Sequence, residues 1–472
     1  MEGSSPLEFR QRASLALADA DLQKALGGME DTFVAHRAKT VARLPEFEAL
    51  RDAAKAVKDH ALANLDFYLE RFADNVEAAG GKVHWCADAE AARAAILAIC
   101  RSVQARTVTK GKTMVGEEIA INEHLAANGI EPVETDLGEY IIQLRHETPS
   151  HIIAPAIHLT VEQVSDTFRK AHTDLDPARS LSEPADMLAE ARAKLRQRFL
   201  AADVGITGAN FLIAETGSTV IVTNEGNGDL TQTLPRIHIV LASIEKIVPT
   251  LNDASTILRV LARSATGQEM SVYTTFSTGP RRPEDLDGPE EFHVVLLDNG
   301  RSAMLGTEFE AMLRCIRCGA CLDHCPVYMK VGGHAYGWVY SGPMGAVLTP
   351  GLIGIEKSMP LPEASTFCGR CESVCPMRIP LPKMMRHWRE REFERHLSPA
   401  NYRAGIFVWG FFARRPRLYR LASGIAARLL GRLGRRRGFF RSLPLAGGWT
   451  RGRNMPAPEG ASFHELWAAR RR

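Results

Sequence analysis

Hydrophobic residues recur at helical spacing through the first part of the chain. In "SPLEFRQRASLALADADLQKAL" and "LPEFEALRDAAKAVKDHALANLDFYLERF", apolar side chains follow one another every three or four positions, which predicts amphipathic helices. Gly80 and Gly81 follow the second stretch, and glycine commonly ends a helix. We therefore expect residues 1–60 to form a helical N-terminal segment.

Residues 61–300 alternate between apolar, β-branched runs and helical patterns. The predicted strands or extended pieces are "KVHWC", "RTVTK", "EPVET", "YIIQL", "ANFLIAET", "STVIVTNE", "RIHIVLASI", "SVYTTFST" and "EFHVVLLD", of which the fifth and sixth form a hairpin. The predicted helices are "DAEAARAAILAICRSV", "GEEIAINEHLAANG" and an insertion at "DTFRKAHTDLDPARSLSEPADMLAEARAKLRQRF". This alternation is typical of an α/β domain with a largely parallel sheet.

Residues 301–395 are rich in glycine and cysteine and poor in strand patterns. Seven of the nine cysteines lie between positions 315 and 375. Clustered cysteines in a large chain without an export signal favour metal binding over disulfides. Cys86 and Cys100 stand apart, and we expect them to be packed core thiols.

The C-terminal segment, residues 396–472, is strongly basic. It holds 16 Arg, no Lys and two acids, Glu459 and Glu465, so it carries +14 while the remaining chain carries −11 of a net charge of +3. Arginine alternates with Leu and Phe in "RLLGRLGRRRGFFR", a pattern typical of interfacial helices. We expect it to dock on a partner or an anionic membrane surface rather than on nucleic acid, since no nucleic-acid module accompanies it.

The sequence predicts a cytoplasmic protein, either soluble or peripheral to the membrane. Its first residues, "MEGSSPLEFRQRAS", lack the apolar core of a secretory signal. The longest apolar run, residues 404–413, is shorter than the about 20 residues that span a bilayer.

The four cysteines of "CIRCGACLDHCPVY", residues 315–328, follow the spacing C-x2-C-x2-C-x3-C-P. This spacing is typical of bacterial ferredoxins with two iron–sulfur clusters, in which the fourth cysteine ligates the other cluster. Zinc sites usually use separate C-x2-C pairs. The spacing therefore favours iron–sulfur clusters over zinc.

A second motif, "CGRCESVCP", matches the last three cysteine positions of the first, and Ser365 stands where the missing cysteine would be. The crossing of ligands between such motifs predicts two sets. Cluster 1 takes Cys315, Cys318, Cys321 and Cys375, and cluster 2 takes Cys325, Cys368 and Cys371.

Three cysteines thus leave one iron of cluster 2 without a cysteine ligand. Water, Ser365, another side chain or a partner's group are alternatives for the fourth ligand, and an empty corner would give a 3Fe-4S cluster. A decayed motif is a further alternative, although the retained spacing and Pro376 argue against it. His334, in the glycine-rich loop between the motifs, is more typical of a packing or surface residue than of a ligand.

Two polar groups in the α/β region are weaker candidates. The first lies at a strand-to-helix junction, where a carboxylate or phosphate is commonly held, although a solvated helix start is the commoner explanation. The second lies near turns, where a substrate pocket competes with ordinary hairpin chemistry, including a tight turn at Asn227-Gly228. The residues are Lys110, Lys112, Glu117 and Glu118 in the first group, and Glu215, Thr216, Asn224, Glu225 and Arg236 in the second.

Several stretches resemble the lactate utilization protein B family. They are "CIRCGACLDHCPVY", "GGHAYGWVYSGPMGAVLTP", "ASTFCGRCESVCP", "TGANFLIAETGSTVIVTNEGNGDL", "LPRIHIVLASIEKIVP", "GPEEFHVVLLDNGRS" and "RNMPAPEGASFHELW". The resemblance implies a LUD domain similar in fold to CoA-transferase and ribose-phosphate-isomerase-like α/β proteins. It further implies a mainly α-helical ferredoxin-type domain with two 4Fe-4S clusters, the cluster-2 ligands Cys325, Cys368 and Cys371, and a helical basic tail.

The same resemblance implies a subunit that oxidises L-lactate to pyruvate together with other lactate-utilization subunits. Removing two electrons from a hydroxy acid usually needs a flavin or nicotinamide, and no G-x-G-x-x-G opens a βαβ unit here. We therefore expect an electron relay, with a membrane electron acceptor as one destination. The alternatives are a relay in another, heterodisulfide-reductase-like complex, and an enzyme whose LUD domain forms a small-acid or CoA-type site.

Overall fold

The structure, a computed structural model, describes residues 5–443, 447–450 and 452–470. Contacts within the chain divide it into two compact units, the main unit of residues 1–390 and the C-terminal unit of residues 391–472. All nine cysteines lie in the main unit. The α/β region and the cysteine motifs therefore share one compact unit.

The N-terminal segment is helical, as its hydrophobic spacing predicts. Its helices are Phe9–Ala18, Ala20–Leu26, Ala35–Ala42, Phe47–Ala63 and Leu65–Ala78, with a π-helical turn at Glu30–Val34. The last helix ends just before Gly80, whose φ of +88° lies in the left-handed region that glycine adopts without strain.

The main unit contains a six-stranded parallel sheet, which confirms the predicted α/β architecture with a parallel sheet. Its strands run in the order β1-β10-β7-β4-β2-β3, and each neighbouring pair is parallel. The strands of the main unit, in chain order, are β1 (Lys82–Cys86), β2 (Thr107–Gly111), β3 (Glu131–Glu134), β4 (Val204–Thr207), β5 (Phe211–Ile213), β6 (Ser218–Thr223), β7 (Ile237–Ser243), β8 (Ile247–Val248), β9 (Tyr273–Ser277) and β10 (Glu291–Leu297). Every position of β7 is buried, as expected for a strand covered on both faces.

A second, four-stranded sheet has the order β8-β5-β6-β9. Strands β5 and β6 are antiparallel, which confirms the predicted hairpin. Gly217 turns the chain between them with φ of +68°, and a Cβ there would lie 2.6 Å from the backbone of Asn75. This close approach explains why the turn needs glycine.

Helices connect the strands. They are Ala89–Ser102, Met114–Glu118, Ile121–Ala127, Leu137–Leu144, Val161–Ala171, Pro184–Ala201, Asn227–Thr233 and Leu251–Ala265. The predicted helical insertion corresponds to two of them, Val161–Ala171 and Pro184–Ala201. Cys86 and Cys100 are buried, which confirms that they are core thiols.

Three local predictions are wrong. "YIIQL" is not extended but lies in the helix Leu137–Leu144, because the Asp136 side chain caps its start by accepting from the Gly138 backbone N–H. The single helix predicted over 116–129 is broken by Ala120, whose φ is +52°. Asn227-Gly228 begins a helix instead of forming a tight turn, and that helix packs closely on β4.

The cysteine region consists of short helical pieces joined by turns. Its helices are Ala320–Asp323, Tyr328–Val331, Gly342–Ile353, Ile355–Ser358, Arg370–Val374 and Leu381–Glu394. No β-strand occurs in residues 301–390 of the structure, in keeping with the predicted mainly α-helical character of this region.

The C-terminal unit contains the helices Ala400–Ala413, Pro416–Gly434, Gly447–Thr450 and Phe463–Arg470, with a two-stranded ribbon of β11 (Phe439–Phe440) and β12 (Met455–Pro456). Several apolar side chains of its first helix are exposed, among them Phe407 and Trp409. Within the described residues, the structure holds no helix with the length and apolar character needed to cross a membrane.

A buried ionic network joins the ends of three strands to the cysteine region. Arg301, which follows β10 and is 0% exposed, forms ion pairs with Glu118 at 2.6 Å and Glu245 at 3.0 Å. Arg317, from the first cysteine motif, pairs with Glu245 at 3.1 Å. The Tyr340 hydroxyl donates to Glu118 at 2.7 Å.

The charges in this network hold both acids ionised. Burial alone would raise the pKa of Glu245, but Arg301 and Arg317 bring that pKa down to about 2. Burial likewise opposes ionisation of Glu118, and Arg301 together with the hydrogen bond from Tyr340 keeps the Glu118 pKa below its usual value. Each acid therefore depends on its cation.

Replacing Arg301 with Met should leave Glu118 and Glu245 as buried carboxylates short of a cation. We expect the free energy of unfolding to fall by about 3–5 kcal/mol, measured by urea unfolding of the cluster-free chain followed by circular dichroism. The matched control is Arg259→Met, which breaks the exposed pair of Arg259 and Glu46 and should cost about 0–1 kcal/mol. Equal losses in the two variants would contradict the importance of the network.

Candidate iron–sulfur centre and adjoining cavity

Four cysteines from the two motifs converge on one small cavity. Cys315, Cys318 and Cys321 come from the first motif, and Cys375 comes from the second. The remaining lining is mostly apolar and comprises Ile152, Ile316, Arg317, Gly319, Met344, Pro376, Met377, Ile379 and Leu381. The structure thus brings together the four residues that the spacing predicts for cluster 1.

The donor chemistry of this cavity fits an iron–sulfur cluster. Burial and the neighbouring sulfurs raise the pKa of Cys318 and Cys321, so the thiols would stay protonated unless a cationic group replaced their protons. Among the described residues, no three His, Cys, Asp or Glu side chains are arranged around a single metal ion. Four thiols spread around one apolar cavity suit a multi-iron cluster better than a single zinc ion.

Arginines from the N-terminal helices hold the second motif in place. The Arg51 guanidinium is buried and donates to the Cys375 carbonyl at 2.6 Å and to the Ser373 carbonyl at 2.9 Å. Arg37 donates to the Val374 carbonyl at 2.9 Å. Because these carbonyls flank Cys375, the N-terminal helices help to fix the cysteine that joins the first motif's set.

The other three cysteines form a second group. Cys325 and Cys371 are buried, whereas Cys368 is exposed. Burial first, and then the charge of Cys325, raise the pKa of Cys371 to about 12, and Cys368 contributes in the same direction. Cys325 and Cys371 belong to one buried cluster of side chains, and Cys368 stands three residues before Cys371 in the chain. That these three cysteines hold cluster 2 stays a prediction.

Three side chains are relevant to the iron of cluster 2 that lacks a cysteine ligand. The Ser365 hydroxyl accepts from the Phe367 backbone N–H at 3.1 Å, which is an ordinary local turn. The His334 ring Nε2 lies 2.7 Å from the Thr148 carbonyl, so this nitrogen is already engaged. Tyr336, which is fully buried, has a hydroxyl without a hydrogen-bond partner in the described part of the chain.

A larger cavity of about 170 Å³ opens at the carboxyl ends of β2, β4 and β7. Ligands of open α/β sheets typically bind at this edge. The cavity shares Ile152, Arg317 and Cys318 with the cavity between the four cysteines. The two cavities are therefore neighbours.

The first polar group predicted from the sequence is not a free anion site. Lys110 is 0% exposed and pairs with Glu117 and Glu134, each at 2.7 Å. Although burial would lower it, these acids raise the pKa of Lys110. Glu118 belongs to the Arg301 network instead. Only Lys112 of this group lines the 170 Å³ cavity.

Lys112 is itself paired. Its ammonium lies 2.6 Å from Asp136 and 3.6 Å from Glu225. Glu139 also lines the cavity, and burial together with Glu134 raises its pKa well above the usual range. This end of the cavity therefore offers a paired cation and a carboxyl that tends to be neutral.

The second predicted group does not assemble into one pocket. Of its members, only Asn224 lines the cavity. Glu215 accepts from the Leu251 backbone N–H at 3.0 Å, and Thr216 donates to Ser218 at 2.8 Å. Arg236 forms an exposed pair with Glu290 at 3.0 Å.

The sequence patterns do not identify several residues that line the cavities, form the buried ion pairs or lack hydrogen-bond partners among the described residues. These residues are Lys246, Thr223, Arg301, Arg317 and Tyr336. None lies in a recognisable motif of its own, although Arg317 sits between two motif cysteines. A positive φ of 58° at Arg317 reflects the tight winding of that motif.

Three family models match the chain. They are the LUD domain over residues 69–297, the 4Fe-4S dicluster domain over 311–379, and the C-terminal domain of lactate utilisation protein B over 377–472. Together with the fold and the cysteine sets, they define the class of the chain. It is an α/β LUD-domain protein that carries a ferredoxin-like 4Fe-4S domain.

Curated relatives match along nearly the full length. Lactate utilization protein B of Bacillus licheniformis is 41% identical and covers 98% of this chain and 97% of its own. The proteins of the same name from Shouchella clausii and Bacillus subtilis are 41% and 40% identical, covering 99% and 98% of this chain and 98% and 96% of their own. The chain therefore belongs to the lactate utilization protein B family.

Proposed function

We propose that this protein is an iron–sulfur electron-transfer subunit of a multi-subunit system that oxidises L-lactate to pyruvate. The observation that carries the proposal is the convergence of Cys315, Cys318, Cys321 and Cys375 on one cavity, next to a second group of three cysteines. The names of the relatives support lactate utilization as the setting and other lactate-utilization subunits as partners.

In this proposal the domains are 1–60, 61–300, 301–395 and 396–472, and the LUD domain has a CoA-transferase/ribose-phosphate-isomerase-like fold. The protein is cytoplasmic and peripheral to the inner face of the membrane. The helix Pro416–Gly434 supports the peripheral placement, since its arginines suit an anionic surface and its Leu421 and Leu433 are exposed.

The proposed ligands are Cys315, Cys318, Cys321 and Cys375 for cluster 1, and Cys325, Cys368 and Cys371 for cluster 2, both of the 4Fe-4S type. Such clusters supply one-electron acceptance and donation. The chain's own residues hold them through thiolates and keep water from cluster 1 with apolar side chains. Burial raises the pKa of Cys375, while the backbone groups of Ile379 and Met377 oppose this effect and favour the thiolate; backbone groups of this kind tune such centres.

The crossing of ligands is tested by two serine variants. Cys375→Ser should remove the cluster-1 signal, although Cys375 lies in the second motif, and Cys325→Ser should remove the cluster-2 signal. Each variant should keep about half of the iron of the wild type, measured by iron quantitation and electron paramagnetic resonance on anaerobic protein. Cys100→Ser, at a buried thiol outside both sets, is the control and should keep both signals. Loss of the same signal from Cys375→Ser and Cys371→Ser would refute the crossing.

The relay is tested by following cluster reduction with L-lactate. The holo-protein alone should stay oxidised, because no dinucleotide motif supplies a hydride acceptor, and its clusters should become reduced once the partner subunits are added. Membrane vesicles should then reoxidise them, and D-lactate serves as the control. Turnover of L-lactate by the isolated holo-protein with an artificial acceptor would contradict the relay and favour a complete enzyme.

A further inference from the structure

Two polar side chains that line the 170 Å³ cavity have no hydrogen-bond or ion-pair partner among the described residues. Within the described residues, no hydrogen bond or ion pair joins the Lys246 ammonium to another group, and Lys246 lines the cavity. Thr223, at the end of β6, is 4% exposed, and its buried hydroxyl has no hydrogen-bond partner. Buried polar groups are normally satisfied, so the Thr223 hydroxyl points to a ligand, and the partly buried Lys246 offers a cation in the same cavity.

The charge around Lys246 favours an anion. Glu245, the nearest acid along the chain, is already paired with Arg301 and Arg317. Lys112, at the far end, is likewise compensated by Asp136. Among the described cations that line the cavity, Lys246 is therefore the one without an ion-pair partner, although the charges of Glu245 and Cys315 also act on it.

The walls favour an organic anion over an inorganic one. Apolar side chains form part of the cavity wall, among them Ile152, Ile153, Val222, Leu241 and Leu261, beside a comparable polar part. A carboxylate with a short aliphatic remainder would place its charge on Lys246 and its carbon atoms against these walls. Phosphate would leave the apolar wall unused.

We propose that this cavity binds a small carboxylate, with Lys246 as the anionic anchor and the Thr223 hydroxyl as a second polar contact. Lys246 lines this cavity but not the one between the cysteines, whereas Arg317 and Cys318 line both. The carboxylate would therefore lie directly beside the proposed cluster-1 ligands. The proposal rests on the lining of the cavity alone. A result that contradicts the electron-relay function would therefore leave it unchanged.

The test is calorimetric titration of the holo-protein with L-lactate, propionate and inorganic phosphate. Wild type should bind both carboxylates more tightly than phosphate. Lys246→Met should weaken carboxylate binding about tenfold to hundredfold, the usual effect of losing a charged hydrogen bond. The matched control is Lys39→Met, which removes the same charge from an exposed helix position and should bind as wild type does.

A second variant keeps the proposal testable if the Lys246→Met protein does not bind its clusters. Thr223→Val keeps the side-chain shape and should weaken L-lactate more than propionate, which has no hydroxyl to contact. Absence of carboxylate binding by wild type, or undiminished binding by both variants, would overturn the proposal. Equal binding of phosphate and propionate would overturn the carboxylate class.

A different observation concerns Tyr336, and it rests on the proposed cluster 2. Tyr336 is 0% exposed, and its hydroxyl finds no acceptor among the described residues, the cysteine sulfurs included. Tyr336 belongs to the same buried cluster of side chains as Cys325 and Cys371, and Cys321 packs against that cluster, so Tyr336 lies among residues of both cysteine groups. We therefore expect the acceptor of its hydrogen bond to belong to the group that those cysteines bind.

We infer that the Tyr336 hydroxyl donates a hydrogen bond to a sulfur of the proposed cluster 2. Hydrogen bonds to sulfur are one of the determinants of the potential of such centres, and a donor stabilises the more negative, reduced state. Tyr336→Phe should therefore shift the midpoint potential of cluster 2 to more negative values, beyond the scatter of replicate redox titrations. Iron content should not change.

The matched control is Tyr328→Phe. Tyr328 is also fully buried and near the same loop, but its hydroxyl donates to the Ser150 carbonyl at 2.8 Å, so its loss should not alter the potential. A Tyr336→Phe protein with two clusters and unchanged potentials would overturn this inference alone. Selective loss of cluster 2 would instead indicate direct ligation and overturn the hydrogen-bond role, whereas a wild type without cluster 2 would overturn the ligand set as well.

Discussion

The arrangement of the main unit depends on the buried ion pairs of Arg301. Its guanidinium connects Glu118, after β2, with Glu245, after β7, while Arg301 itself follows β10. Arg317 extends the same network into the first cysteine motif. A buried ion pair adds little net stability over a well-packed apolar alternative, but a half-broken one is costly. We infer that the main contribution of the network is to join the ends of β2, β7 and β10 to the first cysteine motif.

The N-terminal helices impose a second constraint on the same centre. Arg51 and Arg37 use their guanidinium groups to bind backbone carbonyls around Cys375 rather than carboxylates alone. Arginine suits this task because its several donors lie in a fixed plane. The helical segment that precedes the α/β domain in the chain is thus part of the framework that brings a cysteine of the second motif to the first.

Local sequence patterns predict the features of the structure that depend on residues close together in the chain. The cysteine groups follow from spacing within short motifs, and the parallel sheet follows from β-branched runs between helices. The short apolar run of "YIIQL" fits either a strand or a helix, and the cap at Asp136 decides in favour of the helix. The significance of Lys246 and Tyr336 lies in the partners they lack, which depends on packing between segments far apart in the chain.

The cavity at the strand ends and the two cysteine groups adjoin one another in the main unit. The 170 Å³ cavity adjoins the cluster-1 cysteines through Arg317 and Cys318. Tyr336 shares a buried cluster of side chains with Cys325 of the second group, and Cys321 of the first group packs against that cluster. The second group reaches the surface at the exposed Cys368. If the two groups hold clusters as proposed, cluster 1 would be enclosed mainly by apolar side chains and cluster 2 would be nearer to solvent. Because solvent exposure and hydrogen bonds to sulfur both affect potential, this difference in packing would give the two centres different potentials.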